Sequence, residues 1–385
     1  MSPSELPDAT GLLDVVPVGA AEYAAIEDCC RQLLSTGQSP LVFQGEATVA
    51  LEAAARGLGR PGGRALNLVT GPYGATFGEW LSGAGTEVED LVTPFDRAVT
   101  PDQVAQALDR LGPVDLVSVV HAEAATGVVN DLAAIAEVAR SRGALVVVDA
   151  VASAGAEPLA IEAWQLDVVV LSAQKALAGP AGASVVAVST RAWAALSAHP
   201  SPWRGSVLSL LDWRDRWVAA GRSVLPVIPS HLETRALGAA VRRALTEGLD
   251  GVVSRHRAAA AATRAALAPL GLHPWVAQPR ESASVATVVR APAEGARALV
   301  RASTAGWPDG SVPVSIAPGR LAEQAIRVDH TGRRASLPVV WSAIAALAGG
   351  LASLGYEVDL GAGLATAART WHSALDAPSS GGISC

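Results

Sequence analysis

Val147-Val148-Asp149-Ala150-Val151-Ala152-Ser153 joins an apolar run to a carboxylate and a string of small residues. An apolar run, Leu145–Val148, ends in a carboxylate at Asp149. A second run, Val168–Leu171, leads into Ser172-Ala173-Gln174-Lys175-Ala176-Leu177-Ala178-Gly179-Pro180. Upstream, Leu116–Val120 runs into His121-Ala122-Glu123-Ala124-Ala125-Thr126-Gly127, and Ala65–Val69 and Ser184–Val188 complete the series. Continuous apolar runs of this length are what parallel strands buried on both faces look like. Pro101–Leu111 and Asn130–Arg142, between the runs, have helical spacing, with Thr100 and Asn130 as expected N-caps. Strand–helix alternation predicts an α/β fold with a mostly parallel sheet and helices on both faces. Ligands of such sheets sit outside the carboxyl ends of the strands, which puts Asp149 and Lys175 at one mouth.

Beyond residue 250 the pattern changes. Val252–Leu270 and Pro338–Leu354 read as long helices, and Ser284–Arg290 and Ala325–Asp329 as strands. This predicts an N-terminal arm over 1–20, a large domain over 21–250 and a smaller α+β domain over 251–374. The Ser/Gly/Pro-rich end, from 375 to 385, reads as a disordered tail. With 385 residues the chain is long enough to give each of two domains its own core. A net charge of -7, with basic residues scattered along the chain, argues against a nucleic-acid partner. No run is long and apolar enough for a membrane span, and Met1–Pro7 lacks the pattern of a secretory signal. Three cysteines, two of them adjacent, suit neither a disulfide framework nor a metal site. A cytoplasmic enzyme is the expectation.

A carboxylate and an amine at neighbouring strand ends suit one chemistry well. A pyridoxal aldehyde condenses with a lysine amine, and its ring withdraws electrons when the ring nitrogen is protonated. A carboxylate against that nitrogen favours its charged form. Lys175 fits the Schiff-base lysine and Asp149 the ring-nitrogen partner. Gly182 and the Gly179-Pro180 turn let backbone pass close to a ligand.

The segments around Asp149 and Lys175 resemble class V aminotransferases of the aspartate-aminotransferase fold (fold type I). Two stretches bring the likeness nearer to the pyridoxamine–pyruvate and alanine–glyoxylate aminotransferases within that group. They are Gln44-Gly45-Glu46-Ala47-Thr48-Val49-Ala50-Leu51-Glu52-Ala53-Ala54 and Leu66-Asn67-Leu68-Val69-Thr70-Gly71-Pro72-Tyr73-Gly74. The resemblance implies pyridoxal 5'-phosphate as cofactor, with Phe77 stacked on its ring and Tyr73 as the reserve aromatic. It implies Gly45, Glu46, Ala47, Thr48 and Gln174 at the phosphate end, with Val151 and His121 also lining the site. His121 reads rather as a satisfied core histidine, and Glu123 shares its mouth. Arg327 is implied as the grip on the substrate carboxylate, with Arg320 second; an Arg–carboxylate pair fixes a substrate's orientation. A homodimer sharing its active site is implied too, with Trp203–Trp217 as an interface segment.

The departures from the group matter as much. Its phosphate-binding turn has small and hydroxyl residues in a Gly-Ser-Gly-Thr or Gly-Ser-Gly-His pattern, whereas this chain has Gly45-Glu46-Ala47-Thr48. A carboxylate about 4 Å from a phosphate charge costs roughly 4 kcal/mol at an effective dielectric near 20. Pyridoxamine–pyruvate aminotransferases carry a Glu here and use the unphosphorylated vitamin. Ile228-Pro229 replaces a Thr-Pro whose hydroxyl reaches the phosphate, while Gln174 and Thr48 retain phosphate-binding groups. Ala124 and Ala125 replace hydroxyl residues, and the N-terminal region lacks a Pro-Gly-Pro segment. The first expectation is transamination of a small amino acid with a keto acid such as pyruvate or glyoxylate. The alternatives are pyridoxamine–pyruvate transamination with unphosphorylated pyridoxal and pyridoxamine, a lyase (C–S β-elimination or decarboxylating deamination), and an inactive pyridoxal-binding protein.

Overall fold

The computed structural model describes residues 15–308 and 310–376. Its centre is a sheet of seven strands: β1 (Leu41–Gln44), β2 (Arg64–Val69), β3 (Glu87–Val92), β4 (Leu116–Val120), β7 (Leu145–Asp149), β8 (Val168–Ser172) and β9 (Ala183–Val188). A two-stranded hairpin of β5 (Ala122–Glu123) and β6 (Val128–Val129) lies between β4 and β7 in sequence. The sheet order is β1-β9-β8-β7-β4-β2-β3. From β3 through β8 every neighbouring pair is parallel. β9 alone runs against its neighbours, β8 and β1. The apolar run of β9 misled the parallel expectation for a physical reason: it too is buried on both faces, so it lacks the in/out alternation of most antiparallel strands.

The helices follow the sequence closely. Pro101–Leu111 is a helix closed at its start by a capping box between Thr100 and Gln103. Asn130 does not cap the next helix. That helix spans Leu132–Ser141, and Asp131 caps it by accepting from the Ala134 amide at 3.2 Å. Asn130 instead turns inward, donating to the Val120 carbonyl at 2.8 Å and to Thr70 Oγ1 at 3.2 Å, and accepting from the Val99 amide at 3.0 Å. A buried side chain with three fixed partners serves the core better than one more cap at the surface.

The C-terminal part holds a three-stranded antiparallel sheet, β10 (Ala286–Arg290), β12 (Ala325–Asp329) and β11 (Val314–Ile316), in the order β10-β12-β11. The long helices Leu249–Leu267 and Leu337–Ser353 and the helix Leu360–Asp376 pack with it. One hydrophobic cluster runs from Val18 to Val252 and another from Ala259 to Ala367. Between them lies a small cluster of short side chains, Ala122, Ala124, Ala152, Ala156, Ala176, Ala283, Val285 and Ala286. Small residues there bring the start of β10 close to the segments that follow β4 and β7. Among the described residues no helix is long and apolar enough to cross a membrane. Residues 1–14 of the expected arm and 377–385 of the expected tail lie outside the described residues.

Candidate active site

The sheet places its functional ends where chain order reverses. From β2 the chain moves outward to β3, then returns to β4 on the other side of β2. The resulting crevice is where open α/β sheets bind ligands. It holds an open cleft lined by Glu46, Ala47, Thr48, Leu51, Tyr73, Val120, Ala122, Ala124, Asp149, Val151, Ala152 and Lys175.

Asp149 closes β7 and is 8% exposed. Burial pushes its carboxyl up to about 6, against the opposing pull of the Val151 amide, which donates to Oδ1 at 2.9 Å. Glu46 raises it further and Lys175 lowers it. Above that pH the group is an anion in an apolar wall, a strong partner for a cationic ring nitrogen.

Lys175 sits in the turn after β8. Within that turn the Gly179 amide donates to the Ala173 carbonyl at 2.7 Å, and Ala178 adopts φ 50°. A non-glycine residue with positive φ is strained and persists only where its surroundings fix it. Arg243 supplies part of that fixing, by donating to the carbonyls of Leu177 and Ala178. The amine is therefore presented from a rigid turn.

The aromatic wall differs from expectation. Tyr73 lines the cleft, whereas Phe77 is 5% exposed and packs edge-on against Trp80 at 6.3 Å. Phe77 borders a neighbouring space, with Asn67, Ser118 and Asp149. Both aromatics lie on the helix Pro72–Gly83. At four residues apart they share a face, with Phe77 about 6 Å deeper along the axis. Buried Asn67 fixes the start of this helix by donating to the Gly74 carbonyl at 2.9 Å, while accepting from Ser118 Oγ at 2.7 Å.

Glu123 is buried beneath that helix start, accepting from the Tyr73 amide at 3.2 Å and the Ala125 amide at 3.3 Å. The chain passes so close that a Cβ on Gly71 would stand 2.2 Å from Glu123 Cγ. Burial, and next the Asp149 charge, push the Glu123 carboxyl up to about 8. A carboxyl raised in this way holds, in the folded state, a proton that the unfolded chain releases near pH 4.5. Its contribution is thus most favourable below that value and is lost as pH rises toward 8. The stability lead of wild type over Glu123→Gln should shrink by about 1 kcal/mol per pH unit between about pH 5 and 8. Urea unfolding at several pH values measures this, and a constant difference would remove the titration from Glu123.

At the other end, Glu46 caps the helix Ala47–Leu58, its Oε2 accepting from the Thr48 amide at 2.8 Å. Its Oε1 accepts from Gln174 Nε2 at 2.7 Å. Gly45, with φ 132°, makes the turn, and a Cβ there would meet Val49 Cγ2 at 2.8 Å. The helix N-terminus and the amide of Gln174, both suited to an anion, are engaged by a carboxylate of the chain itself.

The remaining predicted residues divide. Arg327, on β12, donates to the Ala124 carbonyl at 3.5 Å and thereby reaches the cleft wall. Arg320 does not; it is exposed, with its guanidinium 4.8 Å from the centre of the Phe95 ring. His121 is 4% exposed, packs edge-on against Trp164 at 6.2 Å, and burial pushes it down to about 4. It lies in the core, and its Nδ1 lacks a partner among the described residues. Ile228 is 84% exposed. Leu51, Val120, Ala122 and Ala152 also line the cleft, and apolar side chains carry no signal in the sequence that marks them as ligand contacts. Asp329 does carry a signal, because an acid two residues after Arg327 on one strand shares its face.

This fold and this pairing of carboxylate and amine define a class: the chain belongs to the class V aminotransferases, whose family model matches residues 19–288. They are pyridoxal-phosphate-dependent transferases, and the chain is an enzyme of that family. Among particular relatives, it is 31% identical over 360 residues to a pyridoxamine–pyruvate transaminase of Mesorhizobium japonicum, covering 93% of this chain and 90% of that one. It is 28% identical to an L-aspartate–glyoxylate aminotransferase of Paracoccus denitrificans, over 91% and 87% of the two chains. The crystal structure of a pyridoxamine–pyruvate aminotransferase from Mesorhizobium loti superposes with a TM-score of 0.87 at 30% identity, over 94% and 93%.

The site fits the cofactor's ring, with Asp149, Tyr73 and Lys175 around one cleft. It does not fit the phosphate as well, because the Glu46 carboxylate already takes the Thr48 amide and the Gln174 amide group.

Proposed function

We propose that this enzyme exchanges an amino group between a pyridoxal-type ring without its 5'-phosphate and a small 2-oxo or 2-amino acid such as pyruvate and alanine. The observation that carries this reading is Glu46, whose carboxylate fills the anion-binding end of the cleft. The vitamin is then a substrate that enters and leaves, not a resident group. When bound, such a ring draws electrons from the carbon that bears the amino group. In this reading the Lys175 amine removes a proton from that carbon and returns one at the next stage. Asp149 holds the ring nitrogen in its cationic form, and Tyr73, in place of Phe77, covers the ring face. Arg327 orients the acid through its carboxylate.

We further propose a homodimer and a two-domain chain. Support for the first is the exposure of Val207, Val224 and Ile228, at 63%, 73% and 84%, on the segment that follows the large sheet. Support for the second is that the two largest parts of the core divide near residue 255.

A second reading, transamination of an amino acid by a resident pyridoxal phosphate, is favoured by Thr48 and Gln174 at the same end of the cleft. Purified enzyme given pyridoxamine and pyruvate decides between them. Pyridoxal and alanine should form in equal amounts, with no phosphate-bearing cofactor released on denaturation. Activity only after loading with pyridoxal phosphate would favour the second reading.

A further inference from the structure

On β12, Arg327 and Asp329 stand two residues apart and so project from the same face of the strand. Asp329 Oδ1 lies 2.8 Å from Arg327 Nε, and Oδ2 accepts from Nη2 at 3.3 Å. The contact lies on the Nε side of the guanidinium as an ion pair; its hydrogen bond runs from Nη2, and Nε itself makes none among the described residues. The Nη1 atom points to the Ala124 carbonyl at the cleft wall, at the long distance of 3.5 Å. Arg334 stands behind Asp329, its Nη1 3.7 Å from Oδ2. Asp329 is thus set between two cations, and its side chain is 13% exposed.

The guanidinium is a planar fork with two edges able to take a carboxylate. With one edge held by Asp329, the end-on edge formed by Nη1 and Nη2 remains for an incoming acid. We propose that Asp329 is a positioning residue that clamps Arg327 by its Nε edge, so that substrate carboxylates are gripped by the Nη1/Nη2 edge alone. This rests on the reading of Arg327 as the carboxylate-binding residue. Arg334 keeps Asp329 from turning away by attracting its other oxygen. The arrangement fixes an otherwise mobile side chain before substrate arrives, which lowers the ordering cost of binding. It also imposes one direction of approach on the acid.

The test uses the full-length enzyme loaded with pyridoxamine, with pyruvate as the probe. Calorimetry in a Lys175→Ala background, where transfer is blocked, gives the dissociation constant for pyruvate, and steady-state rates of the lysine-bearing enzyme give KM and kcat. Asp329→Asn, which keeps the shape and removes the charge, should raise both the dissociation constant and KM about tenfold while kcat stays within about twofold, the signature of lost binding shared by ground and transition states. Pyridoxamine affinity should not move, whereas general unfolding would lower it. In an Arg327→Lys background, Asp329→Asn should add nothing, because no guanidinium is left to clamp. Unchanged or tighter pyruvate binding in Asp329→Asn, with weaker binding in Arg327→Lys, overturns the clamp and leaves the reading of Arg327 standing. Unchanged pyruvate binding in Arg327→Lys overturns both. If Asp329→Asn does not fold, Asp329→Glu replaces it, and wild-type affinity there overturns the clamp, since a longer acid cannot hold the same edge.

Discussion

Replacing Lys175 with alanine should reduce amino-group transfer by at least about 10²- to 10⁴-fold, the usual contribution of a positioned proton-transfer group. Loss of its nucleophilic amine should add to that. The lysine is half-buried in a turn whose shape depends on backbone contacts and on Arg243, none of which the substitution touches. The thermal midpoint should therefore stay within a few degrees of wild type, about the shift that 1 kcal/mol produces. Product analysis after incubation with pyridoxamine and pyruvate measures the loss. A small amine such as methylamine should restore part of the rate, because the cleft is open and a free amine can take the vacated place. Near-wild-type turnover in Lys175→Ala would remove the lysine from the chemistry, and with it the central role assigned to this turn.

How much of this site could be read from sequence depends on how local each residue's signal is. Asp149 and Lys175 were legible because each closes or follows a continuous apolar run, and position relative to a strand end is a one-dimensional property. Thr100 was legible as a cap for the same reason, since the capping box with Gln103 spans four residues. Asn130 was not, because its choice between capping and turning inward depends on Thr70 and Val99, partners that only folding supplies. The two aromatics show a finer limit. Tyr73 and Phe77 lie on the same helix face, so periodicity cannot say which one meets the cleft floor. Depth decides, and depth is set by where the helix begins, which Asn67 and Glu123 fix from other strands. Arg320 and Arg327 were inseparable as isolated charges. The structure parts them, because one leaves on a surface turn toward Phe95 while the other extends from the middle strand of the small sheet. The direction of β9 was hidden by its burial on both faces.

By sequence alone, the Glu46 carboxylate could face the ligand or avoid it. It does neither alone: it bends back onto its own helix and takes Gln174 as a second partner. The consequence can be tested by Glu46→Ser. Serine is as good an N-cap as an acid, so the helix Ala47–Leu58 should keep its first turn. What is removed is one negative charge, along with the group that occupies Gln174. At about 4 Å and an effective dielectric near 20, a carboxylate opposes each unit of phosphate charge by roughly 4 kcal/mol. Affinity for pyridoxal phosphate should therefore rise about 10³-fold in Glu46→Ser, while affinity for unphosphorylated pyridoxal falls or holds. Titrating both ligands into wild type and variant, and following the absorbance of the bound ring, gives the four dissociation constants. The ratio between the ligands is the decisive quantity, because damage to the cleft as a whole would weaken both together. A ratio unchanged by the substitution would mean that Glu46 does not choose between the two forms of the ring, and the proposal of an unphosphorylated substrate would lose its physical basis.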